Sequence, residues 1–474
     1  MINAYNTLSQ TKEPLPCAVR GKKLRLFVCG PTVYDYSHIG HGRTYTSFDA
    51  IVRWIEKRGI PVEYLMNITD IDDKIISRAQ REDTTWKKLT GFFEREFMHD
   101  LGRLAVREVD AFLRASDHIP EIISQIKLLI KRGVAYKTQT GVYFSVKKFP
   151  DYGKLAHRKL NEMKEAVRID PDPTKHNPAD FTLWKLQKPG EPWWNSPWGK
   201  GRPGWHIEDT AIAKKYFGPQ YELHGGALDL IFPHHESEIA QMEAAYGKKP
   251  FVKLWMHSGF LNVRGGKMAK SLGNFVTIHE ILETWDPRIL RFMYLRAHYR
   301  APLDYDDDLL ADAAAAWDRI KDFVERLDNY KRQMTNDRRQ NEVIKTFIIT
   351  ARKKFETAMD DDFNTPVALA VVFDLITQVN PLLEGGTVSV KNRTLLFKFL
   401  KEVDDIFGIL PPLQKTAAPP DVMRLVGARE TFRKEGKFAE GDRIRKELLA
   451  EGWTVEDTAS GPRLKRKSSP PITK

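Results

Sequence analysis

Three short segments of the sequence combine residue types that can bind phosphates or a metal ion. In the segment CGPTVYDYSHIGHGR, His38 and His41 are three residues apart, and Gly40 between them lets a flat ring approach the backbone. If a helix begins there, both imidazoles lie on one face beside free backbone N–H groups, which attract anions. The pattern favours a phosphate site; the alternative is an ordinary turn with two surface histidines.

The second segment, KMAKS, places Lys267 and Lys270 in a loop flanked by Gly265, Gly266 and Gly273. Two lysines that reach a triphosphate can stabilise the charge that moves onto a leaving pyrophosphate. A lysine pair taken alone is usually a solvated surface. The Gly-rich loop of the common ATPases, which ends in Lys-Ser/Thr, does not occur in the sequence, so that class is excluded.

The third segment, FPHHESE, has His234 and Glu238 four residues apart, so on a helix they share a face and could bind one metal ion. His235 and Glu236 are expected to point elsewhere, in surface or supporting roles. The alternative is a polar helix N-terminus whose acidic residues are favoured by the helix dipole.

The composition indicates a folded chain of about two to four domains, because its 474 residues exceed one ordinary domain. Hydrophobic residues make up 42% and charged residues 29%, as in soluble globular proteins. No apolar run is expected to span a membrane, and the N-terminus lacks a secretion signal, which predicts a cytoplasmic protein. Cys17 and Cys29 are then expected to be reduced. The net charge of +12 suggests a polyanionic partner.

The elements that must position these motifs follow an alternating order. KKLRLFVCG predicts a strand that ends at Gly30, residues 44–58 predict a helix, and VEYLMNI predicts a second buried strand. This order is the start of a parallel nucleotide-binding sheet. Further on, LHGGALDL predicts a Gly-rich loop, and the last segment predicts a small basic unit of one helix and one strand.

The predicted fold class is α/β: a Rossmann-like parallel-sheet catalytic domain with an insertion, followed by a helical bundle and a small basic mixed α/β C-terminal domain. The expected boundaries are 1–118 for the first half of the catalytic domain, 119–203 for the connective insertion, 204–303 for the second half with the KMAKS loop, 304–412 for the helical domain and 413–474 for the C-terminal unit, whose tail is expected to be disordered.

The order of the motifs, HIGH after the first strand and KMAKS after the last, resembles the catalytic domain of class I aminoacyl-tRNA synthetases. Within that class the chain resembles the cysteinyl-tRNA synthetases. The segments that carry the resemblance span residues 5–458 and include CGPTVYDYSHIGHGRTY, NITDIDDKII, GRPGWHIE, HGGALDLIFPHHESEIAQ, HSGFLNVRGGKMAKSLGNF and FAEGDRIRKELLAEGWTVEDT.

The resemblance implies a ligase that converts L-cysteine and ATP, accompanied by Mg²⁺, to cysteinyl-adenylate. The cysteinyl group is then transferred to the terminal adenosine of tRNA(Cys). It also implies roles for individual residues: His38, His41, Lys267 and Lys270 in catalysis at the ATP phosphates, Gly40 under the adenine, Asp229 near the ribose, and Thr69, Trp205 and His224 with Cys29 around the amino acid.

Three of the four residues that hold zinc in this family are present, namely Cys29, His234 and Glu238. The fourth position, commonly a cysteine in bacterial members, is Asp209 here. A carboxylate is an accepted zinc ligand with the charge of a thiolate, so direct ligation is favoured; the alternative is a supporting role beside a more open metal. Zinc bound to the substrate thiolate would separate cysteine from serine without an editing domain.

The resemblance also implies that the helical and C-terminal domains bind tRNA. The basic residues expected to contribute are Arg443, Arg445, Lys446, Arg463, Lys465 and Arg466. Ala269, where the family usually has serine, is expected to leave activity equal or reduced. A cytoplasmic monomer that does not bind membranes is expected.

Three alternatives remain open at this point. One is a cysteine ligase that passes the same adenylate to an amino sugar, although such relatives resemble only the catalytic part. Another is a non-catalytic tRNA-binding paralogue, which the intact histidine and lysine motifs disfavour. The last is a zinc hydrolase with Glu236 as general base, which would leave the adenylation motifs unexplained.

Overall fold

A computed structural model describes residues 1–16, 21–158, 172–268, 274–330, 338–412, 418–458 and 461–466. Its strands are β1 (Asn3–Asn6), β2 (Thr11–Pro14), β3 (Leu24–Val28), β4 (Val62–Ile68), β5 (Ala111–Arg114), β6 (Ala135–Lys137), β7 (Gly141–Phe144), β8 (Phe181–Leu186), β9 (Gly201–Pro203), β10 (Tyr221–Ala227), β11 (Val252–Ser258), β12 (Leu261–Val263), β13 (Gly266–Lys267), β14 (Leu303–Tyr305), β15 (Trp453–Thr458) and β16 (Gly461–Arg466). Its helices are α1 (Ile39–Lys57), α2 (Asp73–Arg81), α3 (Trp86–Arg103), α4 (Ile119–Lys131), α5 (Trp205–Phe217), α6 (Glu236–Tyr246), α7 (Ile278–Thr284), α8 (Pro287–Leu295), α9 (Asp307–Asn329), α10 (Arg338–Asp360), α11 (Thr365–Glu384), α12 (Val390–Phe407), α13 (Pro420–Lys434) and α14 (Phe438–Ala450).

The central sheet has five parallel strands in the order β11-β10-β3-β4-β5. The segment β3-α1-β4 is the strand, helix and strand predicted from the sequence, with Leu24 opposite Val62 in the register. Strand β3 lies between β10 and β4, so the chain order reverses at this point of the sheet. In open α/β sheets, ligands bind at the carboxyl ends of the strands where the order reverses. The predicted α/β class is confirmed.

Glycines in β10 correct one expectation. Gly225 and Gly226, predicted in a loop, lie inside this strand. A Cβ on Gly225 would come within 2.4 Å of the Phe48 ring, and one on Gly226 within 2.8 Å of the His235 ring. The two glycines therefore permit β10 to pack closely against α1 and the segment before α6. From composition alone, the same pair of glycines indicates a turn.

The region between α4 and β9 contains an antiparallel sheet in the order β6-β7-β8-β9. Helix α4, at the start of the predicted insertion, packs against α5 and α6 of the catalytic part. The buried side chains of α4 and of this sheet belong to the same apolar cluster as those of α5 and α6. The insertion therefore shares a hydrophobic core with one side of the central sheet.

Helices α9 to α12 follow the catalytic part. One of them, α11, is long and apolar enough to cross a membrane by length and composition alone. The expectation that no apolar run reaches that length was therefore wrong. Of the 18-residue apolar window, 44% is buried, and α11 packs against α9 and α10. Burial against these neighbouring helices accounts for its apolar composition.

A buried ion-pair network joins the catalytic part to the helices. The Asp49 carboxylate of α1 accepts hydrogen bonds from Arg53 on the same helix and from Arg291 of α8. Arg291 also donates to the carbonyl of Phe407 at the end of α12. Asp49 and Arg291 are each no more than 1% exposed.

The C-terminal unit differs from the prediction of one helix and one strand. It contains two helices, α13 and α14, and an antiparallel hairpin of β15 and β16. Val422, Val426, Ile444, Leu448 and Val455 form its small apolar core. Arg443, Arg445 and Lys446 are exposed on α14, whereas the side chains of Arg463, Lys465 and Arg466 lie outside the described residues. The tail expected to be disordered, KRKSSPPITK, begins at Lys465; its first two residues belong to β16, and residues 467–474 lie outside the described residues.

Candidate active site

A cavity of about 300 Å³ opens beside the carboxyl ends of β3 and β10. The predicted site residues that line it are Cys29, His38, Gly40, His41, Trp205 and Asp229. The remaining lining includes Tyr34, Asp35, Thr44, Tyr45, Lys74, Leu261, Met268 and Phe275. The sheet and the first turn of α1 thus bring the histidine motif and Cys29 to one cavity.

The histidine motif begins α1. His38 is the N-cap residue, and its Nδ1 accepts a 3.3 Å hydrogen bond from the backbone N–H of His41. A neutral imidazole that accepts at Nδ1 carries its proton on Nε2, so this nitrogen is left as a donor. The two rings stack with centroids 3.7 Å apart. A Cβ on Gly40 would lie 2.9 Å from the His38 ring, so the glycine makes room for that ring.

Both histidines of the motif are neutral at physiological pH. Burial lowers the pKa of His38 to about 4, and burial together with the nearby His38 and Lys74 lowers the pKa of His41 well below its ordinary value. Nδ1 of His41 is buried and has no hydrogen-bond partner among the described residues. The pair therefore offers polar N–H groups without positive charge of its own.

Four buried side chains converge behind the cavity. Sγ of Cys29 lies 3.1 Å from Oδ2 of Asp209 and 3.9 Å from Oε1 of Glu238. Nε2 of His234 lies 3.1 Å from Oδ2 of Asp209 and 3.0 Å from Oε1 of Glu238. One ligand atom from each of the four lies within 4.8 Å of the others. Sulfur, nitrogen and carboxylate oxygen at such spacing form a donor set that suits zinc.

A second donor set shares two of these residues. It comprises Cys29, Glu238, His224 and His235, again within 4.8 Å of one another. Nε2 of His235 is 3.0 Å from Sγ of Cys29, and Nε2 of His224 is 3.5 Å from it. The prediction that His235 points away from the site was therefore wrong. Its segment, Ile231–His235, forms a π-helical turn with a kink before α6, so the regular helical spacing does not hold there.

Glu236 also departs from its expected surface position. Its side chain is fully buried, and Oε2 accepts hydrogen bonds from the backbone N–H groups of Leu155 and Ala156. The carboxylate therefore connects α6 to the segment after β7. This arrangement gives no support to a role as general base.

Polar neighbours orient two members of the donor set. Oδ1 of Asn67 accepts from the backbone N–H of Gly30 at 2.6 Å, so its amide nitrogen faces Asp209 and donates to Oδ1 at 2.6 Å. Nδ1 of His234 lies 2.9 Å from Nδ1 of His206. Contacts of this kind set the direction of metal ligands. Asn67 and His206 escaped the sequence analysis, although a polar Asn inside the apolar run VEYLMNI was a usable signal.

The electrostatics of the cluster reflect burial of like charges. Burial, with Asp209 and Glu238 nearby, raises the pKa of the Cys29 thiol well above its ordinary value. Burial likewise raises the pKa of Glu238. For His234, the two carboxylates outweigh burial and raise the pKa. Without a cation, therefore, the cluster must hold protons to limit repulsion between its acidic groups.

The other predicted residues are placed as follows. The Trp205 ring stacks on the His234 ring with centroids 4.3 Å apart, and 40% of this tryptophan is exposed. Thr69 is buried and donates to Oε2 of Glu208 at 3.1 Å. Of Lys267 the structure describes only the backbone, in β13, while Cys17, Ala269 and Lys270 lie outside the described residues.

Comparison with known proteins agrees with this geometry. Residues 17–315 match the family described as the class I (C) tRNA synthetase catalytic domain, and residues 354–411 match the DALR domain. The chain is 45% identical to a cysteine–tRNA ligase of Thermococcus onnurineus and 44% identical to one of Carboxydothermus hydrogenoformans. Each match covers 98% of this chain and 99% of the relative.

Among solved structures, the fold is similar to that of Mycobacterium tuberculosis methionyl-tRNA synthetase bound by methionyl-adenylate, with a TM-score of 0.59 and 15% identity. This match covers 96% of the chain and 99% of that structure. The fold and the site together define a class I aminoacyl-tRNA synthetase. Within that class, the chain belongs to the cysteine–tRNA ligases and joins cysteine to tRNA in an ATP-dependent reaction. The full-length match favours this function over an amino-sugar ligase.

Proposed function

We propose that Cys29, Asp209, His234 and Glu238 hold one zinc ion that selects the substrate by its sulfur. The observation that carries the proposal is the convergence of four buried donor atoms within 4.8 Å of one another, three of them from the acidic groups of Cys29, Asp209 and Glu238. Zinc bound there would supply a borderline-soft Lewis acid, which binds the thiolate of cysteine more strongly than the hydroxyl of serine.

Asp209 is assigned as a direct ligand. Its Oδ1 is held by Asn67, and its Oδ2 lies 3.1 Å from both Cys29 and His234. A carboxylate with one oxygen anchored and the other facing the donor set has the arrangement of an oriented ligand. The same contacts are less consistent with the alternative, in which Asp209 only orients another ligand and does not bind the metal itself.

For the adenylation step, His38 and His41 are assigned to the ATP phosphates. His38 lines the cavity at the N-terminus of α1, and its Nε2–H is assigned as a donor to the phosphates. Lys267 and Lys270 are assigned to the same phosphates, with Mg²⁺ accompanying ATP. Gly40 is assigned to the adenine and Asp229 to the ribose, since both line the cavity.

The amino acid is assigned to the space between Cys29 and the cavity mouth. Trp205 lines this space and covers His234 with its ring. His224 and Thr69 are assigned to the buried side of this space. Nε2 of His224 lies 3.5 Å from the Cys29 sulfur, and the Thr69 hydroxyl accepts a hydrogen bond from Asn67. These residues position cysteine so that its carboxylate reaches the α-phosphate, and proximity then carries much of the rate acceleration.

The acceptor is tRNA(Cys), for which the helical domain and the C-terminal unit supply the binding surface. Exposed Arg443, Arg445 and Lys446 on α14 give this unit the positive charge that phosphate contacts need. The protein is proposed to act as a cytoplasmic monomer. Its catalytic domain is proposed to comprise residues 1–118 and 204–303, with the insertion at 119–203, the helical domain at 304–412 and the C-terminal unit at 413–474.

Cysteine-dependent ATP–pyrophosphate exchange tests the proposal, with serine as the competing substrate and zinc content measured on the same sample. Exchange with cysteine, strong rejection of serine and one zinc per chain are expected. Exchange that proceeds without stoichiometric zinc would refute the metal's part in selection while leaving adenylation intact.

A further inference from the structure

Lys74 is the only lysine or arginine among the described residues that line the active-site cavity. It lies in the segment NITDIDDKII, in the first turn of α2. A cavity that receives a polyphosphate must offset several negative charges. The cations that line it therefore bear directly on substrate binding.

The N-terminus of α2 holds the backbone of Lys74 in place. Asp72 caps the helix, and its side chain accepts from the backbone N–H of Lys74 at 2.8 Å. Asp73 forms ion pairs with Lys185, at 2.6 Å, and with Arg202. Because β8 and β9 carry these two partners, the first turn of α2 is anchored to the antiparallel sheet and its lysine is directed to the cavity.

The Lys74 ammonium has no carboxylate within ion-pair distance in the described part of the chain. The ammonium nitrogen lies 5.1 Å from the centroid of the Tyr34 ring. The Asp35 carboxylate also lines the cavity, and it forms an ion pair with Arg78 at 2.8 Å. Lys74 is exposed, so its charge is available to a ligand that enters the cavity.

The two histidines opposite do not supply positive charge. His38 and His41 are neutral at physiological pH, and the charge of Lys74 contributes to lowering the pKa of both. Lys74, His38 and His41 all line the same cavity, so one anionic ligand there can contact all three. The neutral N–H donors of the histidines then orient the anion, and the ammonium of Lys74 contributes positive charge beside that of Lys267 and Lys270.

We propose that Lys74 binds a substrate phosphate in this cavity, either the polyphosphate of ATP or the phosphodiester next to the 3′-terminal adenosine of tRNA. This inference rests on the proposed assignment of the cavity to ATP and the amino acid. Lys74 acts as a positioning residue for the phosphate and takes no part in proton transfer.

Two reactions separate the two sources of phosphate. Lys74→Met keeps the length of the side chain and removes its charge, and Lys74→Arg keeps the charge. If ATP is the ligand, Lys74→Met raises KM for ATP in pyrophosphate exchange by roughly 10- to 100-fold, and binding of adenosine, which lacks phosphate, is unchanged. If tRNA is the ligand, exchange is normal and KM for tRNA rises in aminoacylation. Lys74→Arg restores most of either loss.

Lys131→Met is the matched control, because Lys131 is an exposed lysine on α4 outside the cavity. Melting temperature is measured for every variant, and an unchanged value excludes misfolding. Normal KM values for both ATP and tRNA in Lys74→Met would overturn the inference. Absence of exchange in the unmodified enzyme would instead overturn the proposed function, so the two failures are distinguishable.

Discussion

The side-chain amide of Asn67 donates a 2.6 Å hydrogen bond to Oδ1 of Asp209, two residues 142 positions apart in the chain. The bond turns the other carboxylate oxygen toward the Cys29 sulfur. It links the end of β4 to α5, so the direction of the carboxylate depends on how this helix packs on the sheet. The carboxylate proposed as the fourth zinc ligand is thereby oriented.

Removal of the amide tests this orientation. Asn67→Ala is expected to weaken zinc binding by about 10- to 100-fold, the usual cost of losing a partner that orients a metal ligand. Competition with a chelator measures the affinity. Thr90→Ala, at a buried threonine of α3 outside the donor sets, serves as control. Unchanged affinity in Asn67→Ala would show that Asp209 does not depend on this contact.

Replacement of Asp209 distinguishes a direct ligand from a supporting residue. Asp209→Ala is expected to lose zinc and to lose discrimination against serine, since only three donors of the proposed set remain. Asp209→Cys, which supplies a thiolate of equal charge, is expected to retain both. Zinc content and the ratio of exchange rates with cysteine and serine are the measurements. Full zinc in Asp209→Ala would refute direct ligation.

The overlap of two donor sets gives another test. If zinc is held by the set with His234, then His234→Asn loses the metal, whereas His235→Asn keeps most of it. Metal analysis after dialysis at low free zinc distinguishes the two variants. The opposite ranking would assign the ion to the set with His224 and His235.

Buried neutral histidines predict a loss of stability in acid. The pKa of His38 is about 4 in the folded protein and that of His257 about 3, both lowered by burial from an ordinary value near 6.5. Between pH 6.5 and 4 the unfolded chain binds more protons, so the free energy of unfolding falls as pH falls, by up to about 1.4 kcal/mol per pH unit for each histidine.

Chemical denaturation at pH 7, 6 and 5 measures this slope. His38→Asn removes one contributing group and is expected to flatten the slope. His157→Gln, at an exposed histidine, is expected to leave it unchanged. Equal slopes in all three proteins would contradict the assignment of His38 as a neutral group.

The buried network around Asp49 predicts a large effect on stability. Asp49→Ala leaves Arg53 and Arg291 without their shared carboxylate, and the expected loss in the free energy of unfolding is about 3–5 kcal/mol. Lys401→Ala breaks an exposed ion pair with Asp405 on α12 and is expected to change it by about 0–1 kcal/mol. Similar losses in the two variants would contradict the role of the network.

Predictions from the sequence were correct where neighbouring residues decide the structure and wrong where contacts with distant segments decide it. The order of β3, α1 and β4 was predictable from the sequence, because apolar periodicity and the Gly and Pro residues that end a strand or a helix are local signals. The two failures at His235 and Gly225 have one cause, since both depend on packing against distant segments. The π-helical turn before α6 and the Phe48 ring of α1 decide these positions. Neither is visible in a window of neighbouring residues.

By itself the sequence determined the donor chemistry, the order of the motifs and the family that they resemble. Tertiary structure decided which atoms meet. Cys29 lies 180 positions from Asp209 and 209 from Glu238, and they converge because β3 pairs with β10 while α5 and α6 pack together. Strand order and helix packing depend on contacts between segments that are distant in the sequence. No short segment therefore determines which carboxylate oxygen of Asp209 faces Cys29.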